Sequence, residues 1–125
     1  MAVNPYIIVI PVHTGERGTL AVVEDLGFPI QRIFYILDVP EGAERGHHGH
    51  QNTTQCLTCI HGEVEIIITN ENGTFNFTLN APSQALIMPP NNHIVLKNFR
   101  KGSIVLVVAS TLFKDDILQV KHLPV

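Results

Sequence analysis

Short apolar runs rich in β-branched residues, each closed by Gly, Pro or Asn, most constrain how this chain can fold. Asn72-Gly73, between two alternating runs, is the strongest hairpin signal. Only residues 111–120 have the pattern of a short helix. Nine runs predict strands: 6–12, 19–24, 32–39, 55–60, 63–69, 74–79, 84–88, 93–98 and 103–109. So many short strands predict one all-β domain over residues 1–125, with a closed or sandwiched antiparallel fold.

The composition fits such a domain and excludes several other classes of protein. Hydrophobic residues make up 45% of the chain and charged residues 15%, which excludes intrinsic disorder. A net charge of −3 argues against a general nucleic-acid binder, which carries a basic excess. No apolar run reaches the roughly 18–20 residues that span a bilayer, and residues 1–11 lack the positive start of a signal peptide. We therefore expect a cytoplasmic protein without nucleic-acid or membrane partners.

Cys56 and Cys59 have the spacing of a redox or metal C-x-x-C motif, but they lie within a predicted strand. Residues three apart in a strand point to opposite faces, so the two thiols would diverge. The sequence therefore predicts two packed, free cysteines, as in a reducing compartment.

Two predicted strands, 33–37 and 104–108, are apolar on both faces. A core between two sheets buries only one face of each strand, so the other face needs a partner. A second copy of the chain is the simplest partner, and we expect a homodimer.

Three of the seven histidines lie in the run Arg45-Gly46-His47-His48-Gly49-His50. On an extended segment His48 and His50 project from the same face. Four residues then lead to Gln55, and six more to Gly62. This is the spacing of the first cupin motif, in which the position of Gln55 is normally acidic.

Gln55 bears on whether the site holds a metal. The usual cupin centre uses two histidines, the carboxylate and a later histidine, whereas Gln55 brings no negative charge. A three-histidine site with His93 stays open, as does the alternative that these are ordinary loop histidines. The residues favour a metal-free acid–base site over both.

The whole chain resembles the small RmlC-like cupins that act as nucleotide-sugar 3,4-ketoisomerases on dTDP-4-oxo-6-deoxyglucose. The most specific match is R-G-x-H-x-H followed five residues later by Gln55. The matching stretches are 15–20, 32–38, 45–50, 86–90 and 105–110.

The resemblance implies a double-stranded β-helix, or jelly-roll barrel, that forms a homodimer by exchange or docking of strands. It implies an isomerase, formally an intramolecular oxidoreductase, that converts a dTDP-linked 4-keto-6-deoxy hexose to its 3-keto isomer. Such a step belongs to deoxysugar biosynthesis, for example for O-antigen. The family works without a metal or redox cofactor.

The resemblance also assigns roles to individual residues. Its catalytic positions here are His48, His50 and Tyr35, with either histidine as the base and Tyr35 assisting as donor. Its substrate-binding positions are Arg17, Arg45, Gln55 and His93. The chain departs from the family at Gln51, usually Lys, and at 91–93, where Asn-Asn-His replaces a loop with Trp-His.

The expected chemistry suits histidine, whose ordinary pKa of about 6.5 lets it take and return a proton near neutral pH. Three other functions remain open from the sequence: an RmlC-type sugar epimerase, a non-catalytic cupin that binds a sugar nucleotide, and a metal-dependent enzyme. The epimerase chemistry usually needs a His–Asp dyad, and no Asp is placed by a motif.

Overall fold

The structure is a computed structural model that describes residues 2–119, with side chains described for residues 2–116. Val120 and the following residues, including the end of the expected helix and His122, lie outside the described residues. Within 2–119 no helix has the length and apolar character needed to cross a membrane.

The described chain is almost entirely β structure. Its elements are β1 (Tyr6–Val9), β2 (Val12–Gly15), β3 (Gly18–Ala21), β4 (Arg32–Ile36), β5 (Arg45–His50), β6 (Gln55–His61), β7 (Val64–Asn70), β8 (Gly73–Leu79), β9 (Gln84–Met88), β10 (Asn92–Lys97), β11 (Ile104–Ala109) and a 3-10 helix, Phe113–Gln119.

The strands form two larger antiparallel sheets and one separate hairpin. The first sheet has the order β1-β9-β6-β11-β4 and the second the order β5-β10-β7-β8. Within the described residues, strands β2 and β3 pair only with each other, and seven of their eight residues are exposed. Because strands distant in sequence are neighbours in both sheets, the arrangement is a jelly roll rather than a meander.

The main core lies between the two sheets. Leu57 and Val107 of the first sheet pack with Ile66, Ile94 and other aliphatic side chains of the second. A smaller cluster covers part of the outer face of the first sheet, where Ile10 and the partly buried Val23 and Phe28 lie on Cys56, Ala85, Ile87 and Val108. The first sheet is therefore apolar on both faces, as the sequence predicts.

The two cysteines confirm the alternation expected of their strand. Cys59 belongs to the main core, whereas Cys56 belongs to the outer cluster, and both are free and buried. Burial raises the pKa of the Cys56 thiol to about 11, so this sulfur stays protonated near neutral pH.

The structure differs from the sequence expectation mainly at β2 and β5. Neither is among the nine predicted strands: the expected strand 6–12 ends at Val9, residues 12–15 form a separate strand that pairs with β3, and the histidine-rich segment, expected to be extended, pairs with β10 as β5. The β7–β8 hairpin is confirmed, with Glu71 and Asn72 as its loop and Gly73 paired to Asn70. The helix is confirmed as a short 3-10 helix.

Candidate active site

Strand β5 directs His48 and His50 into the space between the two sheets. It pairs with β10 so that His48 lies opposite Ile94 and His50 opposite Asn92, both of which are buried. The rings lie edge to face, with centroids 5.0 Å apart and planes at 78°. The two imidazoles therefore share one inward face, as the H-x-H spacing predicts.

A β-bulge adds Arg45 to this inward face. The register between β5 and β10 shifts at Ile94/Val95, which leaves His47 without a partner in the ladder. His47 has a φ of 62° and Gly46 a φ of 93°. Residues three apart normally face opposite ways, but the extra residue in the bulge puts Arg45, opposite buried Leu96, on the same face as His48.

Arg45 and His48 border a cavity of about 190 Å³ between the two sheets. Arg45, His48 and Gln55 are its polar lining residues. The other lining residues are Phe34, Tyr35, Ile36, Gly46, Leu57, Ile94, Leu96 and Val107. A mostly apolar cavity with a few convergent polar groups is the usual form of a small-molecule site.

His50 lies against His48 and is held by two polar side chains, although it is not itself among the residues that line the cavity. Its Nε2 is 3.3 Å from the Gln55 amide nitrogen, and its Nδ1 is 3.4 Å from Oδ2 of Asp116. The side chains of His50 and Asp116 are only 4% and 2% exposed. The Nδ1–Asp116 distance is short enough for an ion pair when His50 is protonated, but the contact lacks the alignment of a hydrogen bond.

Asp116 is a site residue that the sequence analysis missed. It comes from the 3-10 helix, which packs against β5 and is kinked at Asp116. Its Oδ2 accepts hydrogen bonds from the Thr53 hydroxyl (2.5 Å) and the Asn52 backbone N–H (3.3 Å). The only sequence signal is an Asp beside apolar residues, which is too common to identify a site.

The surroundings of His48 favour its neutral form. Burial lowers its pKa to about 4, and repulsion from protonated His50, protonated His93, Arg32 and protonated His47 acts in the same direction. Burial also lowers the pKa of His50, while Asp116 raises it and Arg32 lowers it. Both imidazoles are therefore neutral at pH 7, the state in which histidine accepts protons.

Arg32 is a second residue whose place the sequence analysis did not anticipate. Its guanidinium lies over the rings of Phe34 and Phe113, 5.4 and 5.7 Å from their centroids. Its Nε and Nη2 are buried without a hydrogen-bond partner. Burial lowers the Arg32 pKa, although the carboxylate of Asp116 opposes this shift. A partly buried cation that acts on both histidines makes this part of the barrel attractive to anions.

Three of the expected site residues lie outside this arrangement. Tyr35 borders the cavity, but its side chain alternates with Phe34 and Ile36 of the core and is 66% exposed on the outer face. His93 is exposed on β10 opposite Gly49 and acts on His48 through its charge. Arg17 is exposed at the tip of the β2–β3 hairpin. Their predicted roles stay predictions.

The described part of the chain contains no cluster of three His, Cys, Asp or Glu side chains suited to a metal ion. Gln55 occupies the position next to His50 at which a carboxylate ligand would stand, and its amide nitrogen faces the imidazole. The absence of a metal stays a prediction, for which a variant of Gln55 is proposed below.

Comparison with known proteins places this geometry among nucleotide-sugar enzymes. The chain is 28% identical over 103 residues to a TDP-4-oxo-6-deoxy-alpha-D-glucose-3,4-oxoisomerase of Aneurinibacillus thermoaerophilus, covering 80% of this chain and 74% of that protein.

Solved structures give the same result. The 3,4-ketoisomerase QdtA of Thermoanaerobacterium thermosaccharolyticum, a His-to-Asn variant in complex with TDP-4-keto-6-deoxyglucose, matches with 29% identity and a TM-score of 0.87, over 93% of this chain and 87% of that one. The TDP-quinovose 3,4-ketoisomerase WlaRB of Campylobacter jejuni matches with 31% identity and a TM-score of 0.82, over 87% of this chain and 86% of that one.

A more distant match bears on the fold alone. The rmlC epimerase of Mycobacterium tuberculosis is 16% identical, with a TM-score of 0.74 over 86% of this chain and 64% of that one. The expected RmlC-like cupin fold is thereby confirmed. The family model described as "FdtA: WxcM-like, C-terminal" matches residues 3–119, and the chain therefore belongs to this family.

Proposed function

We propose that this protein is an isomerase that converts a dTDP-linked 4-keto-6-deoxy hexose into its 3-keto isomer. The observation that carries the proposal is a neutral imidazole, His48, lining a small cavity beside Arg45, with a second imidazole against it. The similarity to TDP-sugar 3,4-ketoisomerases over most of the chain supports the substrate class.

The proposed reaction moves two hydrogens without net oxidation. The C4 ketone acidifies the C3–H bond, and neutral His48 takes that proton, so the electrons of the bond form an enediolate with the charge on O4. His48 then returns a proton to C4, O3 loses its proton as the ketone forms at C3, and O4 gains a proton and becomes a hydroxyl. A positioned acid–base group typically accelerates such a step by about 10²–10⁴-fold.

His48 rather than His50 is the proposed base, because His48 lines the cavity and His50 does not. His50 is proposed to move the proton between the two oxygens, since Gln55, which contacts its Nε2, lines the same cavity. Arg32, partly buried and close enough to act on both histidines through its charge, would stabilise the enediolate charge. In this scheme Tyr35 is not required.

Arg45 is the proposed contact for the diphosphate or sugar, with Gln55 beside it in the cavity. A guanidinium suits this task because it donates parallel hydrogen bonds to phosphate oxygens. His93 and Arg17 are proposed to contribute at the edge of the site, as the family resemblance implies.

The protein is further proposed to be a homodimer. The outer face of β4 exposes Ile33 and Tyr35, 61% and 66% exposed, with Leu37 beyond the strand end at 46%. The β2–β3 hairpin pairs with no other strand in the described chain. A second copy that docks here would cover the apolar face, and exchange of the hairpin would carry Arg17 to the cavity of the partner.

The dimer is tested by sedimentation equilibrium at micromolar concentration, where a monomeric mass would refute it. Mixing Arg17→Ala with His48→Asn subunits tests the exchange. Activity should return in the mixture if Arg17 acts across the dimer, and should not return if each subunit is self-contained.

We also propose that the protein works in the cytoplasm, which the free, buried state of Cys56 and Cys59 supports.

The function is tested by incubating the protein with dTDP-4-keto-6-deoxyglucose and following the sugar by NMR. A 3-keto product supports the proposal. Tight binding without turnover would favour a non-catalytic sugar-nucleotide-binding cupin, and inversion at C3 or C5 with the ketone still at C4 would favour an epimerase.

A further inference from the structure

Asp116 is an unusual residue for the interior of this barrel. Its side chain is 2% exposed, its Oδ2 lies 3.4 Å from Nδ1 of His50, and its Oδ1 is buried with no hydrogen-bond partner among the described residues. Thr53 is itself fully buried, and its hydroxyl also lies 2.7 Å from the hydroxyl of Thr111. Burying a carboxylate costs several kcal/mol unless nearby donors or cations compensate, so its place here calls for a function.

The contacts of His50 define which nitrogen carries its proton. The Gln55 amide N–H points at Nε2, which is then the acceptor. Nδ1 must consequently carry the hydrogen, and it faces the Asp116 carboxylate. Both neighbours thus favour one tautomer, with Nδ1–H toward the 3-10 helix and the Nε2 lone pair toward the cavity side.

We propose that Asp116 is a positioning residue of the isomerase, which holds His50 in this tautomer and stabilises its imidazolium when Nε2 accepts a proton from the sugar hydroxyl. The inference rests on the proposed function. In this step the O3–H bond breaks as the ketone forms at C3, His50 Nε2 gains the proton, and the same proton later goes to O4. No net charge is created and no co-reactant is needed.

The other charges around His50 make Asp116 necessary for this role. Arg32, which begins β4, opposes a positive charge on His50. His48, two residues before His50 on β5, opposes it as well once His48 is itself protonated. Among the charged groups that act on His50, the carboxylate of Asp116 is the one that favours its protonated form. Without it, His50 would face two cations when both imidazoles are protonated.

The contacts of Oδ2 also make a clean test available. Thr53 and Asn52 both donate to this oxygen, so the amide of Asp116→Asn should keep its own oxygen there. This variant therefore removes the charge with little change in geometry, whereas Asp116→Ala removes the acceptor as well. Asp115→Asn is the matched control, because Asp115 is the preceding residue of the same helix and is exposed.

The experiment combines turnover with a measurement that needs no substrate. For Asp116→Asn we expect kcat to fall about 10²-fold with KM within about threefold of wild type, and a larger fall for Asp116→Ala. In protein labelled with ¹⁵N-histidine, NMR should find the His50 proton on Nδ1 in wild type and in Asp116→Asn. It should find the proton shifted toward Nε2 in Asp116→Ala. A His50→Asn variant assigns the signals, and thermal unfolding checks that each variant is folded.

Two results would overturn the inference: full kcat in folded Asp116→Asn, or a wild-type His50 protonated on Nε2. The same data separate it from the proposed function. If wild type does not isomerise the sugar but the His50 tautomer depends on Asp116, the function fails and the positioning stands. If wild type isomerises the sugar and Asp116→Asn is as active as both wild type and Asp115→Asn, only the positioning role fails.

Discussion

Gly49, the residue between the two site histidines, should tolerate no side chain. A Cβ there would lie 2.7 Å from the backbone oxygen of Asn92 on β10, so the strands would have to separate by roughly 0.7 Å to reach the 3.4 Å of an ordinary contact. Overpacking of this kind lowers the free energy of unfolding by about 1–3 kcal/mol, whereas replacing glycine restricts the unfolded chain and raises it by about 0.5–1 kcal/mol. We expect Gly49→Ala to lose about 1–2 kcal/mol net, or about 4–8 °C in Tm for a domain of this size.

The matched control is Gly15→Ala, because Gly15 also lies in a strand and a Cβ there would meet no atom within 4 Å. Thermal unfolding of both variants, with kcat measured on the same samples, tests the reasoning. Movement of β5 displaces His48 and His50 with Gly49, so kcat should fall about tenfold or more in Gly49→Ala alone. Equal Tm and kcat in the two variants would show that β10 does not confine β5 as described.

Three further predictions concern the cavity. Because unfolded His48 has the ordinary pKa and folded His48 a pKa of about 4, the unfolded chain binds more protons between about pH 4 and 6.5, so stability falls as pH falls through this window. Urea denaturation at several pH values in this window should show a smaller loss of unfolding free energy for His48→Asn than for the control variant His61→Asn, which changes an exposed histidine. Equal losses in the two variants would refute the low pKa of His48. Arg45→Ala should raise KM about tenfold or more with little change in kcat, because a charge-assisted hydrogen bond to the substrate is lost. Arg100→Ala is the control and should leave both constants unchanged, because Arg100 is exposed and paired with Glu63. An unaltered KM in Arg45→Ala would contradict a role of Arg45 in substrate binding. Gln55→Glu should create a divalent metal site with the two histidines, detected by calorimetry, and equally tight binding of metal by wild type would contradict the metal-free mechanism.

The sequence was sufficient for the features that depend on strand alternation. The inward direction of His48 and His50 and the opposite faces of Cys56 and Cys59 all follow from a period of two within a single strand. The β7–β8 hairpin follows from local turn chemistry at Asn72-Gly73. These features were predictable because each is decided by neighbouring residues.

Features decided by distant or irregular contacts were not predictable. The bulge at His47 breaks the alternation and adds Arg45 to the inward face, and no local pattern announces it. Asp116 reaches His50 from 66 positions later in the chain, as part of a helix whose packing the sequence does not reveal. The role that the resemblance assigns to Tyr35 stays a prediction, and the alternation of β4 gives the inward positions to its neighbours Phe34 and Ile36.

The central claim is that His48 removes the C3 proton of a bound dTDP-4-keto-6-deoxy sugar, and solvent exchange tests it most directly. The sugar is incubated in D₂O with wild type or with His48→Asn, nucleotide binding is measured in parallel, and deuterium at C3 is followed by NMR. We predict rapid incorporation with wild type, and loss of incorporation in His48→Asn with binding nearly intact. Exchange that survives in His48→Asn, or tight binding by wild type without any exchange, would contradict the account.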